Sequence, residues 1–349
     1  MQRSRLVFDK DHLRVHRNRF HWLAPIFVLM MLSLAACRSE SGAGATAPAS
    51  FKVALLTPGP VSDAGWNASA FEGLELIRQK LSADTAMVQT TSPADFEDAF
   101  RDFGTRGFKL IFAHGFEYTD TALKVAKLFP DTTFVVTSGS GSSENVASLS
   151  FKIEEAAYVL GVLAAGVSKT GVIGAVGGIQ LPSIRFTFEG YKRGFLATRP
   201  EGRVLISYIG NFEDVGAATE AALAQVSQGA DLLYHEADAA GLGVFQAAAQ
   251  SHIYAFGSNR NQNSVMPDTI LASAVTDIPD SFLRIATEVR DRNFHPAMLE
   301  YGMKEGMVKV EYNARLVLKV PKWAVDRANA AVRDIVAGKI TFPAVPQGN

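Results

Sequence analysis

The sequence predicts an α/β protein with two Rossmann-like lobes, each built on a parallel sheet, and a ligand cleft between them. Short apolar strands alternate with amphipathic helices from Phe51 onward, and this alternation implies right-handed β-α-β crossovers. The series of candidate strands is too long for one sheet, which is why two lobes are expected. Ligands bind such sheets at the carboxyl ends of the strands, where loops converge.

The predicted strands are 52–56, 86–89, 110–113, 133–136, 146–151, 171–176, 204–209, 231–234, 253–256 and 269–276. The predicted helices between them include 69–80, 94–105, 119–129, 153–167, 184–197, 217–228 and 242–251. A Gly/Ser-rich break over 138–145 divides the series, and a return crossing is expected near 274–279. The N-terminal lobe is then 51–145 with about 275–310, and the C-terminal lobe is about 146–274 with about 311–343.

Residues 1–36 have the pattern of a signal peptide, with a basic start, an uncharged apolar run over 22–36 and a small-residue end. The apolar run is shorter than the about 20 residues that a membrane-spanning helix needs. Leu34-Ala35-Ala36-Cys37 resembles the lipobox of bacterial lipoproteins, so Cys37 is expected to be the acylated first residue of the mature chain. An ordinary signal peptide is the alternative, and the long basic start also allows translation to begin near Val15.

Composition limits the chemistry available to the mature chain. Residues 37–50 are small and polar and predict a flexible tether. The chain has 34 basic and 35 acidic residues, of which six basic and two acidic residues precede Cys37. The mature chain therefore keeps 28 basic and 33 acidic residues. It contains no block of basic residues of the kind that favours binding to nucleic acid. Cys37 is the single cysteine of the chain, which excludes an intramolecular disulfide and, once acylated, thiol catalysis.

Motifs for cofactors, metals and catalysis are weak. The Gly-rich stretch 169–178 follows a predicted helix and runs into a strand, whereas a dinucleotide fingerprint needs a strand, then glycines, then a helix. His235 ends a predicted strand, but no second His at helical spacing accompanies it, so a polar loop or an organic-ligand contact is favoured over a metal. We therefore expect no cofactor, no metal and no catalytic residue.

Aromatic, acidic and amide residues gather where four predicted strands end. The candidate ligand contacts are Asp63, Trp66, Asn67, Phe116, Asp120, Glu236, Asp238 and Asn259. The flat ring of Trp66 can stack on a planar ligand while polar neighbours bind its edge. Asp63 and Asn67 are also good caps for the helix that follows, so a purely structural role stays open for both.

These segments together resemble the basic membrane protein family, whose members are lipid-anchored substrate-binding proteins of ABC transporters, many of them for purine nucleosides. The resemblance runs from about Phe51 to Pro343. Its most specific pieces are DAGWNASAFEGL (63–74), NVASLSFKIEEAAY (145–158), SKTGVIG (168–174), GLGVF (241–245) and GMKEGMV (302–308). The resemblance implies the type I periplasmic-binding-protein fold, hinge closure around one ligand, and ABC permease and ATPase subunits as partners.

The chain departs from the nucleoside binders of that family at two positions. Their ribose-binding Asp and Lys fall at Asn259 and Thr276 here, so both charges are lost, while Asp238 adds an acid in a loop that is usually Gly-rich. Gly65-Trp66 is more similar to the branch that binds free nucleobases. The implied ligand is a purine nucleoside, a nucleobase or a related planar heterocycle, and the lost charges weaken the case for an intact nucleoside.

The sequence therefore predicts a non-enzymatic binding protein in the bacterial cell envelope, lipid-anchored and facing the extracytoplasmic side. It captures a planar, purine-like ligand and delivers it to a permease. An extracytoplasmic sensor that uses the same closure switch is an alternative that the sequence leaves open. A surface enzyme that cleaves nucleosides is a remoter one, in which Asp63, Asp120 or Glu236 would act as the acid.

Overall fold

Two six-stranded sheets organise residues 50–63 and 65–343, the part of the chain that this computed structural model describes. The strands are β1 (Lys52–Thr57), β2 (Asp84–Gln89), β3 (Leu110–His114), β4 (Thr133–Thr137), β5 (Val146–Phe151), β6 (Val172–Gly177), β7 (Arg203–Tyr208), β8 (Leu232–Glu236), β9 (Tyr254–Gly257), β10 (Ile270–Thr276), β11 (Met298–Tyr301) and β12 (Val308–Tyr312). The first sheet has the order β11-β5-β4-β3-β1-β2, and the second has the order β12-β10-β9-β8-β6-β7. Each sheet defines one lobe.

Helices cover the faces of both sheets. They are α1 (Trp66–Leu81), α2 (Pro93–Thr105), α3 (Thr119–Val125), α4 (Ile153–Val167), α5 (Pro182–Thr198), α6 (Val215–Ser227), α7 (Gly241–Gln250), α8 (Ile278–Arg290) and α9 (Lys322–Val336). The signal peptide, the lipobox and nearly all of the tether lie outside the described residues. None of the helices from residue 50 onward combines the length and apolar character needed to cross a bilayer.

Parallel pairing dominates both sheets, which confirms the predicted α/β class. Every pair in the first sheet is parallel, and β1, which lies between β3 and β2, is almost wholly buried, as expected for a strand covered on both faces. The second sheet departs from the prediction at one edge, because β12 runs antiparallel to β10. All ten predicted strands form within two residues of their predicted bounds, whereas β11 and β12 were not predicted.

The chain passes between the lobes three times in the described residues. The crossings lie between β5 and α4, between β10 and α8, and between β11 and β12. The first differs from the division expected near residue 145, because β5 pairs with β4 in the first sheet, whereas the buried apolar residues of α4 belong to the core of the second lobe. The Gly/Ser-rich segment is therefore a loop within the first lobe, and the change of lobe falls at Lys152.

Glycines set the closest helix contact of the second lobe. The α4 and α5 backbones approach so closely that a Cβ at Gly161 or Gly194 would collide with a carbonyl oxygen of the facing helix. The Gly-rich stretch after α4 has the predicted order, since Gly171 takes a left-handed φ of 77° and β6 begins at the next residue. Gly177 ends β6 and Gly178 follows it, before the start of α5. A Cβ at Gly178 would, however, collide with the ring of Phe212, so packing accounts for this glycine.

Candidate functional site

Asp63 holds the first turn of α1 from the loop after β1. One carboxylate oxygen accepts hydrogen bonds from the backbone N–H groups of Gly65 (3.0 Å) and Ala68 (2.9 Å), and the other accepts from the Asn67 N–H (2.8 Å) and Asn67 Nδ2 (2.9 Å). Four donors occupy this buried carboxylate, and they include N–H groups that a helix leaves without partners at its start. Asp63 thus acts as a helix cap, and its role as a ligand contact remains a prediction.

Asn67 leaves a buried acceptor without a partner. A carboxylate can only accept, so the bond to Asp63 identifies the bonded atom of the Asn67 amide as Nδ2 and orients the side chain. The residue is buried, and its Oδ1 has no hydrogen-bond partner among the residues that the structure describes. Buried polar groups are rarely left unpaired, so this oxygen marks a place where a ligand donor fits.

Trp66 lies at the start of α1 with one ring face covered by protein. Its ring stacks on His114 at a centroid distance of 4.1 Å and an interplanar angle of 22°, and the ring of Phe151 meets it edge-on at 6.5 Å. Trp66 is half-buried and packs against the core of the first lobe. The side chain therefore contributes to the core, and any ligand can use only the part that the core leaves uncovered.

His114 is a neutral support for the Trp66 ring. Its Nε2 lies 3.1 Å from the Trp66 carbonyl oxygen and its Nδ1 lies 3.0 Å from Thr137 Oγ1. A carbonyl only accepts, so Nε2 carries the proton and Nδ1 accepts from the hydroxyl. Burial lowers the pKa of His114 to about 3, with a smaller opposing effect from the Trp66 carbonyl. The imidazole is uncharged at neutral pH and was not singled out as a site residue from the sequence.

Phe116 and Asp120 follow β3 but face solvent. Phe116 begins a single turn of 3-10 helix and is 52% exposed. Asp120 lies exposed in the first turn of α3 and lines an open surface groove with Leu123, Lys124 and Lys127. The structure shows no hydrogen bond between either residue and the acidic residues of the second lobe described below. Their assignment as ligand contacts remains a prediction.

Glu236 ends β8 and carries the most enclosed carboxyl group of the second lobe's loops. Its Oε1 accepts hydrogen bonds from the Tyr234 hydroxyl (2.6 Å) and the Ser258 hydroxyl (2.5 Å). No side-chain or backbone donor in the described part of the chain bonds to Oε2. Burial raises the pKa of Glu236 to about 7, and the two hydroxyl donors oppose that rise.

Asp238 and Asn259 form a pair at the ends of neighbouring strands. Asn259 Nδ2 donates to Asp238 Oδ1 at 3.2 Å, and both residues have left-handed backbones, with φ of 63° for Asn259 and 44° for Asp238. Asp and Asn tolerate this conformation better than most residues, and it turns both loops sharply after their strands. Burial first, and then the charges of Asp63 and Glu236, raise the pKa of Asp238 to about 7. The charges or dipoles of Asp63, Glu236 and Asn259 therefore all act on the Asp238 carboxyl group.

Contacts to α1 join the two lobes on either side of this cluster. A Cβ at Gly65 would lie 3.3 Å from Asp238 Oδ1, so the Asp238 carboxylate lies against the backbone just before α1. The Arg260 guanidinium, from the loop after β9, lies 2.5 Å from Glu72 on α1. That ion pair is partly exposed, so we expect it to contribute at most about 1 kcal/mol. The loops after β8 and β9 therefore both contact α1 across the cleft.

Two further residues complete the second lobe's edge. His235 is buried, and its Nε2 lies 3.0 Å from Gln262 Oε1, which also accepts the Ser258 N–H and must therefore be an oxygen. Burial lowers the pKa of His235 to about 4. In the described ranges no group of three or more His, Cys, Asp or Glu is arranged to hold a metal ion. Thr276 ends β10, and its buried Oγ1 has no partner among the same residues.

The structure thus brings together Asp63, Trp66, Asn67, Glu236, Asp238 and Asn259, and leaves Phe116 and Asp120 at the surface. Sequence reasoning did not identify His114, Tyr234 or Ser258 as site residues. His114 ends β3 and Ser258 directly follows β9, and these strand-end positions could have indicated both. A groove of about 320 Å³ between β12 and α9, lined by residues such as Val308, Tyr312 and Val332, contains none of the predicted site residues.

Known proteins resemble this chain over nearly all of its described length. The sequence profile of the Bmp family, described as ABC transporter substrate-binding protein PnrA-like, matches residues 50–341. A purine-binding protein of Brucella abortus is 30% identical over 77% of each chain. The ABC transporter nucleoside-binding protein BmpA of Lactococcus lactis is 29% identical over 94% of this chain and 99% of its own.

Comparison of folds agrees with the sequence relatives. An ABC transporter solute-binding protein from Aeropyrum pernix superposes with a TM-score of 0.78, covering 86% of this chain and 94% of its own at 20% identity. That likeness establishes the fold alone, whereas the profile match and the Brucella relative establish the family. The chain belongs to the Bmp family of PnrA-like ABC transporter substrate-binding proteins.

Proposed function

We propose that this protein captures a small planar heterocycle of the purine type in the cleft between its lobes and delivers it to an ABC permease. The acidic and amide cluster at the facing sheet edges carries this proposal, because it combines groups from both lobes with an aromatic ring at its side. Trp66 and Asn67 come from the first lobe, and Glu236, Asp238 and Asn259 come from the second. The names of the Brucella and Lactococcus relatives support a purine or nucleoside ligand.

Closure around the ligand follows from the position of these groups. Asp238 lies against Gly65 at the start of α1 across the cleft, so the cluster is complete only when the lobes are together. A hinge motion at the three crossings would separate Asp238 and Asn259 from Trp66 and Asn67 and open the site. The ligand adds contacts to both lobes only in the closed state, and it therefore favours closure.

Isothermal titration calorimetry against a ligand panel tests the proposal. The panel contains adenine, guanine, hypoxanthine, their nucleosides, thiamine precursors and simple sugars. We expect saturable binding of at least one purine base or nucleoside, with a negative heat-capacity change from burial of its ring. Binding of a sugar with no heat from any heterocycle would exclude the proposal.

We further propose that Cys37 is acylated and anchors the protein to the extracytoplasmic face of a bacterial membrane. Its support is the Leu34-Ala35-Ala36-Cys37 sequence after a basic and then apolar segment. We expect Cys37→Ser to move the protein from the membrane fraction to the soluble fraction when cells are fractionated. Wild-type protein whose mature N-terminus carries an unmodified Cys37 by mass spectrometry would contradict the anchor.

A further inference from the structure

The cluster in the cleft contains carboxylate and amide oxygens that the described residues leave without a hydrogen-bond donor. Asn67 Oδ1 is a buried acceptor without a partner among the described residues, and the hydrogen bonds that Glu236 accepts from them reach only its Oε1. One N–H of the Asn259 amide donates to Asp238. The hydroxyl of Thr276 is a buried group at the same edge without a partner among the described residues.

No cation in this cluster, as far as the structure describes it, balances its carboxylates. The carboxylates of Asp63 and Glu236 lie close enough to Asp238 to raise its pKa. The nearby imidazoles of His114 and His235 are kept uncharged by burial. Arg260 follows Asn259 directly but bonds to Glu72 on the outer part of α1. A ligand that brings positive charge or N–H donors would relieve this excess of negative potential.

The start of α1 is also closed to an anionic ligand. Helix N-termini commonly bind phosphate or carboxylate groups through their free N–H groups. Here Asp63 accepts the N–H groups of Gly65, Asn67 and Ala68, and the Asp238 carboxylate lies against Gly65. The protein's own carboxylates therefore occupy the start of α1, where an anionic group of a ligand would otherwise bind.

We propose that the site binds the N–H donor edge of its ligand, and that among purines it selects a 2-amino-6-oxopurine of the guanine type over xanthine and urate. Guanine presents a ring N–H and an amino group side by side, and Glu236 Oε2 and Asn67 Oδ1 are two acceptors of this cluster, one from each lobe, that the described residues leave without a donor. Xanthine carries a carbonyl in place of the amino group, and urate is an anion at neutral pH. This inference rests on the proposed purine-binding function and assigns the specificity to Glu236 and Asn67.

Proton release on binding follows from the same arrangement. Glu236 must be ionised for its Oε2 to accept an N–H donor, because a proton on that oxygen would make it a donor, and ionisation of Asp238 strengthens the bond that it accepts from the Asn259 amide. The pKa of each carboxyl group is raised to about 7 in the unliganded protein, so both are partly protonated at neutral pH. The groups that face them are Tyr234 and Ser258 for Glu236, and Asp63, Asn259 and the Trp66 N–H for Asp238.

The sign of the pH dependence follows from these two carboxyl groups. N–H donors stabilise the ionised carboxylate and lower its pKa, so the ligand binds the ionised form more tightly and the affinity rises with pH. We expect guanine to bind about tenfold more tightly at pH 8 than at pH 6, with protons released to the buffer at pH 7. Titrations in buffers of different ionisation enthalpy measure that release directly.

The specificity is tested by titrating the mature protein with guanine, hypoxanthine, xanthine and urate. We expect guanine to bind at least about tenfold more tightly than xanthine. We expect Glu236→Gln to lower the affinity for guanine about 30-fold and to remove most of the change in that affinity with pH. Glu75→Gln on α1 removes the same charge from an exposed carboxylate paired with Arg78 and serves as the matched control. This control should leave both the affinity and the pH profile unchanged.

Failure of this inference and failure of the proposed function give different results. If no purine or nucleoside binds, the proposed function is wrong. If purines bind but guanine shows no advantage over xanthine, or the affinity does not change between pH 6 and pH 8, only the inference about the donor edge is wrong. The pH profile of the unmodified protein distinguishes these outcomes even if Glu236→Gln proves too unstable to titrate.

Discussion

Replacing Asp63 by Ala is expected to lower the free energy of unfolding by about 3 kcal/mol, the largest loss that we predict for a single site residue. The buried carboxylate accepts four hydrogen bonds at the start of α1. Three of the donors are backbone N–H groups that no other part of the helix can satisfy. Urea unfolding of the unliganded protein, followed by circular dichroism, measures the loss.

Ser92→Ala provides the comparison for Asp63→Ala. Ser92 caps α2 with one accepted hydrogen bond, in an exposed capping box with Asp95. We expect its removal to cost about 1 kcal/mol. If Asp63→Ala destabilises no more than Ser92→Ala but abolishes ligand binding, Asp63 is a ligand contact and its capping role is secondary.

Replacing Trp66 by Ala is expected to reduce stability and ligand affinity together. The ring stacks on His114 and packs against the core of the first lobe, so its loss should lower the free energy of unfolding by about 2 kcal/mol. Loss of stacking on a planar ligand should also weaken the binding free energy by about 1–3 kcal/mol. Chemical unfolding and calorimetry measure the two effects separately.

Two variants separate the roles of the Trp66 ring. Trp66→Phe keeps an aromatic face, so it should retain most of the affinity. Phe116→Ala removes a half-exposed ring in the adjacent loop and should change stability by less than about 0.5 kcal/mol. Unchanged affinity in Trp66→Ala would show that this ring belongs to the core alone and that the ligand stacks elsewhere.

The fold was largely predictable because buried parallel strands are continuous apolar runs. The segment Lys52–Thr57 and the strands that follow it carry such runs between helices with a clear amphipathic pattern. Strand β11 was not predicted because it is only four residues long and lies at a sheet edge. Strand β12 has the alternation of Val with Lys309 and Glu311 that is typical of a half-buried edge strand, and a search for continuous apolar runs misses it. The position of the first crossing could not be predicted, because the sequence of β5 is compatible with a strand of either lobe. Only its pairing with β4 assigns β5 to the first lobe.

The candidate site was predictable as a place more than as a set of contacts. Loops after parallel strands converge on one edge, and this rule correctly grouped Trp66, Glu236 and Asn259. It could not say that Asp63 is saturated by backbone N–H groups while Glu236 keeps one oxygen free, because that depends on loop geometry over a few residues. Nor could the sequence reveal that His114 would support Trp66, since the two residues lie on different elements.

The three crossings also govern how the chain can fold. Strand β11 completes the edge of the first sheet by pairing with β5, although the whole of β6 to β10 lies between them in the chain. Closing a loop of this length costs more entropy than a local contact, so we expect this pairing to form late and slowly. Neither lobe is one continuous stretch of chain, and neither can be finished before Tyr301 has been synthesised. The two lobes are in this sense a single folding unit, even though the proposed opening of the cleft would move them as two bodies.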